Sequence, residues 1–163
     1  MRTMALDVGD RRIGVAISDA TGLVATPLTV IRRSSKAEDF RRIAAVILGH
    51  GARTLVVGIP LDADDGKGPQ ALRVERYAAA LEDALRGQGL DVPLVLWDEH
   101  GSTLGAQEAM IAAGRTARHR RAHADSAAAA AILQDYLDSG LSHTDRPIAM
   151  IDRQPWEDTR WNL

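Results

Sequence analysis

The first hundred residues hold five apolar runs of strand length, and the connections between them change character part-way along. Residues 3–8 and 13–18 are separated by the turn Gly9-Asp10-Arg11-Arg12, and Ala20-Thr21-Gly22 supplies a second turn before residues 23–31. Runs joined by tight turns pair antiparallel, so these three read as a meander. Pro27 lacks the N–H that an interior strand must donate, which directs the third run toward a sheet edge. Beyond residue 31 each return to the sheet passes through a helix-length segment, the right-handed crossover that parallel neighbours require. Residues 55–59 and 92–97 are therefore expected as parallel strands. The fold class is α/β: a mixed sheet of a three-strand antiparallel meander plus two parallel strands, flanked by helices.

The helices announce themselves at their ends. Ser34 or Ser35 can cap a helix reaching about residue 48, along which Phe40, Ile43 and Ile47 recur at helical spacing before Gly49 and Gly51. After a loop over 60–68, Pro69 suits a first helical turn; Val74, Tyr77, Ala78, Leu81 and Leu85 make the next apolar stripe, closed by Gly87 and Gly89. A short helix is expected over 103–113, a basic connector over 115–121, and an alanine-rich helix over 124–139 whose small side chains permit close approach to a sheet. Residues 1–140 then form one domain. Residues 141–163, with Pro147, Pro155, Trp156 and Trp161 and little periodicity, read as a C-terminal tail rather than an independent domain.

The chain has no cysteine, so disulfides and thiolate metal sites are excluded and any metal must take oxygen or imidazole ligands. No apolar run approaches the length of about 20 residues needed to span a bilayer, and the start lacks a signal-peptide core, so no membrane association and a cytoplasmic location are expected. A net charge of −2 argues against indiscriminate nucleic-acid binding but leaves room for a local basic stripe.

Asp7 interrupts the apolar Met4-Ala5-Leu6-Asp7-Val8-Gly9. Burying an unpaired carboxylate is costly, so Asp7 either faces a cation or is satisfied by backbone hydrogen bonds or by Arg11 or Arg12 at the turn. Asp98-Glu99 follows the fifth run; successive strand side chains point to opposite faces, so only one of the two shares a face with Asp7, and spacing leaves open which. Asp125 falls in the first turn of the expected alanine-rich helix, where the helix's positive end alone favours a carboxylate by about 0.3–1 kcal/mol. What unites the three is that all lie at element ends able to converge on one side of a sheet, where ligands of such folds gather. Three carboxylates without a histidine cluster suit Mg²⁺ or Mn²⁺, and hydrolysis of a phosphodiester by a two-metal mechanism is the chemistry they would serve. Of the 5 histidines, His100 and His123 lie within two residues of a candidate acid; His100 could assist proton transfer, though a surface or core role is the leading expectation for each.

Four blocks in order carry a family resemblance: residues 5–16, which include Asp7-Val8-Gly9-Asp10-Arg11-Arg12-Ile13-Gly14; Val57-Gly58-Ile59-Pro60-Leu61 with Gly66 and Gly68-Pro69; Asp98-Glu99; and Asp125 with residues 132–137. Over about residues 5–138 the chain resembles the YqgF family, also called RuvX, of pre-16S rRNA nucleases and Holliday-junction-resolvase-like proteins. The resemblance implies a ribonuclease H-like fold and a metal-dependent endonuclease with Asp7, Glu99 and Asp125 as catalytic, metal-holding acids. It alone favours Glu99 over Asp98. It implies structured RNA, in particular the 5′ end of precursor 16S rRNA, or branched DNA such as a Holliday junction as substrate; resolving a symmetric junction would favour a homodimer. One departure concerns substrate handling: His100-Gly101 stands before Ser102-Thr103 where the family usually has arginine and an apolar residue.

Arg115, Arg118, Arg120 and Arg121, with His119, precede Asp125 and could hold a phosphate backbone beside the metals, as could Arg11 and Arg12; the alternative for each is a solvated basic residue contributing little. Aromatic residues make up 4% of the chain, so base stacking is not the principal mode and recognition should favour shape and backbone. Two other functions compete: a non-catalytic nucleic-acid-binding or ribosome-associated factor that retains the fold, and a nucleotide-binding relative of the actin and sugar-kinase architecture, for whose two lobes 163 residues leave too little chain.

Overall fold

The computed structural model describes residues 1–64, 66–99 and 117–140. The expected helix over 103–113, Arg115, His100-Gly101 and the tail over 141–163 lie outside the described residues.

Strands β1 (Arg2–Val8), β2 (Arg12–Ser18) and β3 (Ala25–Arg32) form the meander, and β4 (Ala52–Ile59) and β5 (Leu94–Asp98) add to it in parallel. The sheet order is β3-β2-β1-β4-β5, so β1 is central and β3 is an edge. Pro27 lies on that edge opposite Ala16, where the register shifts between Val15 and Ala16, one of the few places a sheet tolerates a missing donor. Leu23 and Val24, expected in the third strand, precede it and are exposed. The Asp19 carboxylate accepts their backbone N–H groups at 2.9 and 3.0 Å and closes the turn in place of a ladder. β5 likewise starts at Leu94 rather than residue 92, after Pro93, whose carbonyl accepts the Leu55 N–H.

Helix α1 (Lys36–His50) is capped by Ser35, whose hydroxyl accepts the Glu38 N–H, and ends at Gly51 with φ 66°, a left-handed conformation that glycine adopts without steric penalty. Helix α2 (Pro69–Gly87) buries Val74, Tyr77, Ala78, Leu81 and Leu85, the whole expected stripe; it continues through Gly87 and is capped at Gln88. Both helices cover one face of the sheet over Met4, Leu6, Val8, Ile13, Val15, Leu55, Val57 and Ile59.

Helix α3 (Ala117–Asp138) covers the other face. It begins at Ala117 instead of residue 124, because Ala117-Arg118-His119-Arg120-Arg121-Ala122 contains no glycine or proline, and alanine and arginine are strong helix formers. Repulsion between neighbouring arginines, a few tenths of a kcal/mol per pair, is too small to unwind it. Asp125 therefore sits inside the helix rather than in its first turn, and the positive helix end, whose influence fades within one turn, does not account for it.

Alternation along the strands explains why α3 can approach so closely. The residues that face it are small: Ala5 on β1, Ala16 on β2 and Val56 on β4, meeting Ala129, Ile132, Leu133 and Tyr136 of the helix. Gly14 and Gly58 extend that face. A Cβ at Gly14 would lie 1.9 Å from the Asp125 carbonyl oxygen, so the helix backbone rests directly on the strand.

Candidate active site

On β1, Met4, Leu6 and Val8 point into the α1/α2 core while Ala5 points toward α3, which puts Asp7 on the α3 side by the two-residue period. On α3 the buried positions Ala129, Ile132, Leu133 and Tyr136 run along one stripe, and Asp125 lies one turn before Ala129 on the same side. Asp7 pairs in register with Gly14, and Gly14 lies beneath the Asp125 backbone. The side-chain-free glycine thus lets an acid from the helix and an acid from the central strand come together.

The third acid arrives from β5. Trp97 packs on the α3 side, its indole N–H donating to Asp135 at 2.8 Å and its ring meeting Tyr136 edge-on at 5.3 Å. The strand period then turns Asp98 away and brings Glu99 back to the α3 side. Glu99 lies over Gly58, where an added Cβ would meet its Oε1 at 2.8 Å and its Cγ at 3.0 Å, and its own N–H donates to the Ile59 carbonyl at 3.1 Å. Of the two acids that spacing left open, Glu99 is the one on the Asp7 side of the sheet.

The electrostatics bear out that proximity. Burial, and after it the charge of Asp125, push the Asp7 carboxyl up to about 6. Burial, then the charges of Asp7 and Asp98, push Glu99 up to about 7. Asp125 is engaged by Arg12, whose Nε donates to Oδ2 at 2.6 Å. That pairing, between residues 113 apart in sequence, is the contact the sequence did not announce; the alternative had been an arginine on Asp7.

As a donor set, three carboxylates suit a hard divalent cation; burial, ahead of the neighbouring charges, is what raises Asp7 and Glu99. Among the described residues no three acidic or histidine side chains stand close enough together to cage an ion as placed, with Asp125 turned to Arg12.

Of the other candidates, Arg11 is exposed, and its carbonyl accepts the Arg33 N–H at 2.9 Å. Arg118, Arg120 and Arg121 lie in the opening turns of α3 rather than in a loop. His123 is exposed on the same helix. The loop over 60–68 folds on itself, the Asp62 N–H donating to the Gly66 carbonyl and Lys67 pairing with Glu75 at 2.6 Å. No helix among the described residues is long and apolar enough to cross a membrane.

Two solved structures share the fold. The RuvC resolvase of Thermus thermophilus, solved in complex with a Holliday junction substrate, superposes with a TM-score of 0.56 at 18% identity, covering 86% of this chain and 96% of that one. The fowlpox virus Holliday junction resolvase superposes with a TM-score of 0.53 at 12% identity, covering 86% of this chain and 100% of the other. A mixed sheet of this order, flanked by helices on both faces, is a ribonuclease H-like fold. The chain belongs to the RuvX family, described as Holliday junction resolvase, whose model matches residues 1–139. Relatives named "Putative pre-16S rRNA nuclease" include one from Thermoanaerobacter pseudethanolicus, 42% identical over 140 residues, which cover 85% of this chain and 97% of that protein. Another, from Synechococcus sp. strain JA-3-3Ab, is 46% identical over 135 residues, 83% of this chain and 82% of that one.

Proposed function

We propose that the chain is a divalent-metal-dependent endonuclease of the cytoplasm that hydrolyses phosphodiester bonds in structured nucleic acid, with precursor 16S rRNA as its substrate. The observation that carries the reading is the convergence of Asp7 and Glu99 on one face of the sheet, beneath the helix that presents Asp125. The relatives at four-tenths identity favour the rRNA precursor over branched DNA. Likeness to the junction resolvases is a likeness of fold.

In this reading Asp7, Glu99 and Asp125 hold Mg²⁺ or Mn²⁺. Such an ion acidifies a water and supplies positive charge to the phosphate and the departing oxygen. The chain's own part is to fix three acids on two strands and a helix that cannot separate without unpacking the α3 face. It also keeps the site half-buried, so that the negative charge is poorly screened and attracts a cation strongly. In the absence of a cation Glu99 retains its proton over part of the neutral range, because burial and the Asp7 charge both oppose its ionisation.

The test is incubation of the purified chain with labelled precursor 16S rRNA and, separately, a four-way DNA junction, in Mg²⁺, Mn²⁺ or EDTA, beside an Asp7→Asn variant. Cleavage of the rRNA that needs both metal and Asp7 is the expected result. Cutting of the junction alone would move the substrate to branched DNA, and substrates shifted in a gel but uncut in every metal would identify a binding factor that retains the fold.

A further inference from the structure

We propose that Arg12 is an internal counter-ion, which holds the Asp125 carboxylate while the site is without metal and releases it when a divalent cation enters. The inference rests on the metal-dependent reading above and adds to it a competitor for one of the acids.

The backbone on both sides of the pair is fixed. Asp125 is anchored through α3, whose carbonyl at that residue lies against Gly14. Arg12 is anchored through the turn that opens β2: the Gly9 N–H donates to the Arg12 carbonyl at 2.9 Å, and Arg33 holds the same turn by donating its N–H to the Arg11 carbonyl at 2.9 Å and its Nη1 to the Gly9 carbonyl at 2.8 Å. What is left to move is the side chains. The Arg12 side chain is 40% exposed and that of Asp125 28%, so the guanidinium can swing into water without leaving a buried charge behind.

The charge balance gives the contact its direction. Asp7 and Glu99 lie on the sheet face beneath α3, and Asp125, over Gly14, adds a third negative charge there. A guanidinium on Asp125 offsets that excess by one positive charge. A divalent cation offsets it by two and can engage Asp7 and Glu99 as well, so the two compete for one carboxylate. A folded state in which Arg12 is paired is then a state that binds metal less well, and the observed affinity is reduced by the fraction of molecules in it.

The experiment is a calorimetric titration of the full chain with MnCl₂, with thermal unfolding of the same samples with and without Mn²⁺. Wild type is compared with Arg12→Gln, Arg12→Lys, Asp125→Asn and the double variant Arg12→Gln/Asp125→Asn. Arg12→Gln is expected to bind Mn²⁺ roughly tenfold more tightly while unfolding at a lower temperature without metal, and Mn²⁺ should raise its midpoint more than that of wild type. Arg12→Lys, which keeps the charge, should stay near wild type. On the Asp125→Asn background the Arg12→Gln gain should vanish, because the carboxylate for which the two cations compete is gone. Binding by wild type that is unchanged or weakened in Arg12→Gln overturns the proposal and leaves the metal-dependent reading standing. Absence of Mn²⁺ binding in wild type and every variant overturns both.

Discussion

The carbonyl oxygen of Asp125 stands 1.9 Å from the position a Cβ on Gly14 would take, so α3 meets β2 backbone against backbone at the residue that presents an acid to the site. Any side chain at Gly14 must lift the helix. Gly14→Ala is expected to destabilise the fold by about 1–3 kcal/mol, the usual cost of overpacking a close contact. Gly49, in α1, has nothing within 4 Å of its added Cβ, and Gly49→Ala should stabilise by about 0.5 kcal/mol by lowering the entropy of the unfolded chain. Urea unfolding of both variants beside wild type checks the pair; equal effects at the two positions would contradict the close approach.

Gly58 plays a comparable part for Glu99. A Cβ there would meet Ile132 Cδ1 at 2.5 Å and Glu99 Oε1 at 2.8 Å, both ends of side chains that can give way. Gly58→Ala should therefore cost less stability than Gly14→Ala and more activity, since the group displaced is one of the three proposed site acids. On the metal-dependent reading, rRNA cleavage is expected to fall at least about tenfold, a misplacement effect of the size that small shifts of a catalytic group produce. Activity that simply tracked the loss of stability would count against Glu99 as a site residue.

Burial and then the charge of Asp125 hold Asp7 up to about 6, and burial and then the charges of Asp7 and Asp98 hold Glu99 up to about 7, against ordinary values of 3.8 and 4.5. The folded chain therefore keeps these protons to higher pH than the unfolded chain does. The stability linked to them is whole below about pH 4 and is lost as pH rises through 6 and 7. In EDTA, unfolding free energy should fall between about pH 4.5 and 7.5, and Asp7→Asn should flatten that fall by on the order of 2–3 kcal/mol. Urea unfolding across that range is the measurement, and a wild-type profile as flat as that of Asp7→Asn would refute the burial of an ionising Asp7.

Most of the fold was legible because it is written in local patterns. The tight turns at residues 9–12 and 20–22, Ser35 before a 3.6-residue stripe and Pro69 at a helix start each act over a few residues, and each appears where expected. The start of α3 was misread for a physical reason: a run of arginines looks like a solvated connector, whereas its intrinsic propensity is helical and Ala117 to Ala122 simply continues the alanine-rich segment. The site was half legible. Asp7 stood out as a charge in an apolar run; spacing left Asp98 and Glu99 open, only the family resemblance favoured Glu99, and its facing follows from the orientation of Trp97, while the Arg12–Asp125 pair joins elements 113 residues apart that no local period connects.

A second ion pair ties the site's turn to the core. Asp39 is 1% exposed; its carboxylate accepts the Ser34 N–H at 2.9 Å and faces Arg33 Nε at 3.5 Å. Arg33 in turn lies over the Tyr77 ring at 4.9 Å and donates to the Gly9 carbonyl. Removing the guanidinium leaves a buried carboxylate without its cation, so Arg33→Ala is expected to cost about 3 kcal/mol or more, whereas Arg41→Ala, on the exposed Glu38 pair, should leave stability nearly unchanged. Chemical denaturation distinguishes them, and similar losses in both would mean that Arg33 is no better coupled than a surface residue.

The basic run before Asp125 gives the sharpest test of how substrate is held. Because α3 begins at Ala117, Arg118, Arg120 and Arg121 are carried on the same helix as Asp125, and Arg121 lies about 6 Å before it along the axis at 1.5 Å per residue. A helix holds their backbone at a fixed distance from the acids, as a loose connector would not. If they contact phosphates, each neutralised phosphate releases a counter-ion, and changing all three to alanine should weaken RNA binding and reduce the slope of log affinity against log salt by about 0.7 per lost contact. Helicity should survive the change, since alanine is the better helix former, so circular dichroism can separate lost charge from lost structure. An unchanged salt slope with intact helix would assign the three arginines to solvent and leave the turn that carries Arg11 and Arg12 as the remaining basic feature beside the acids.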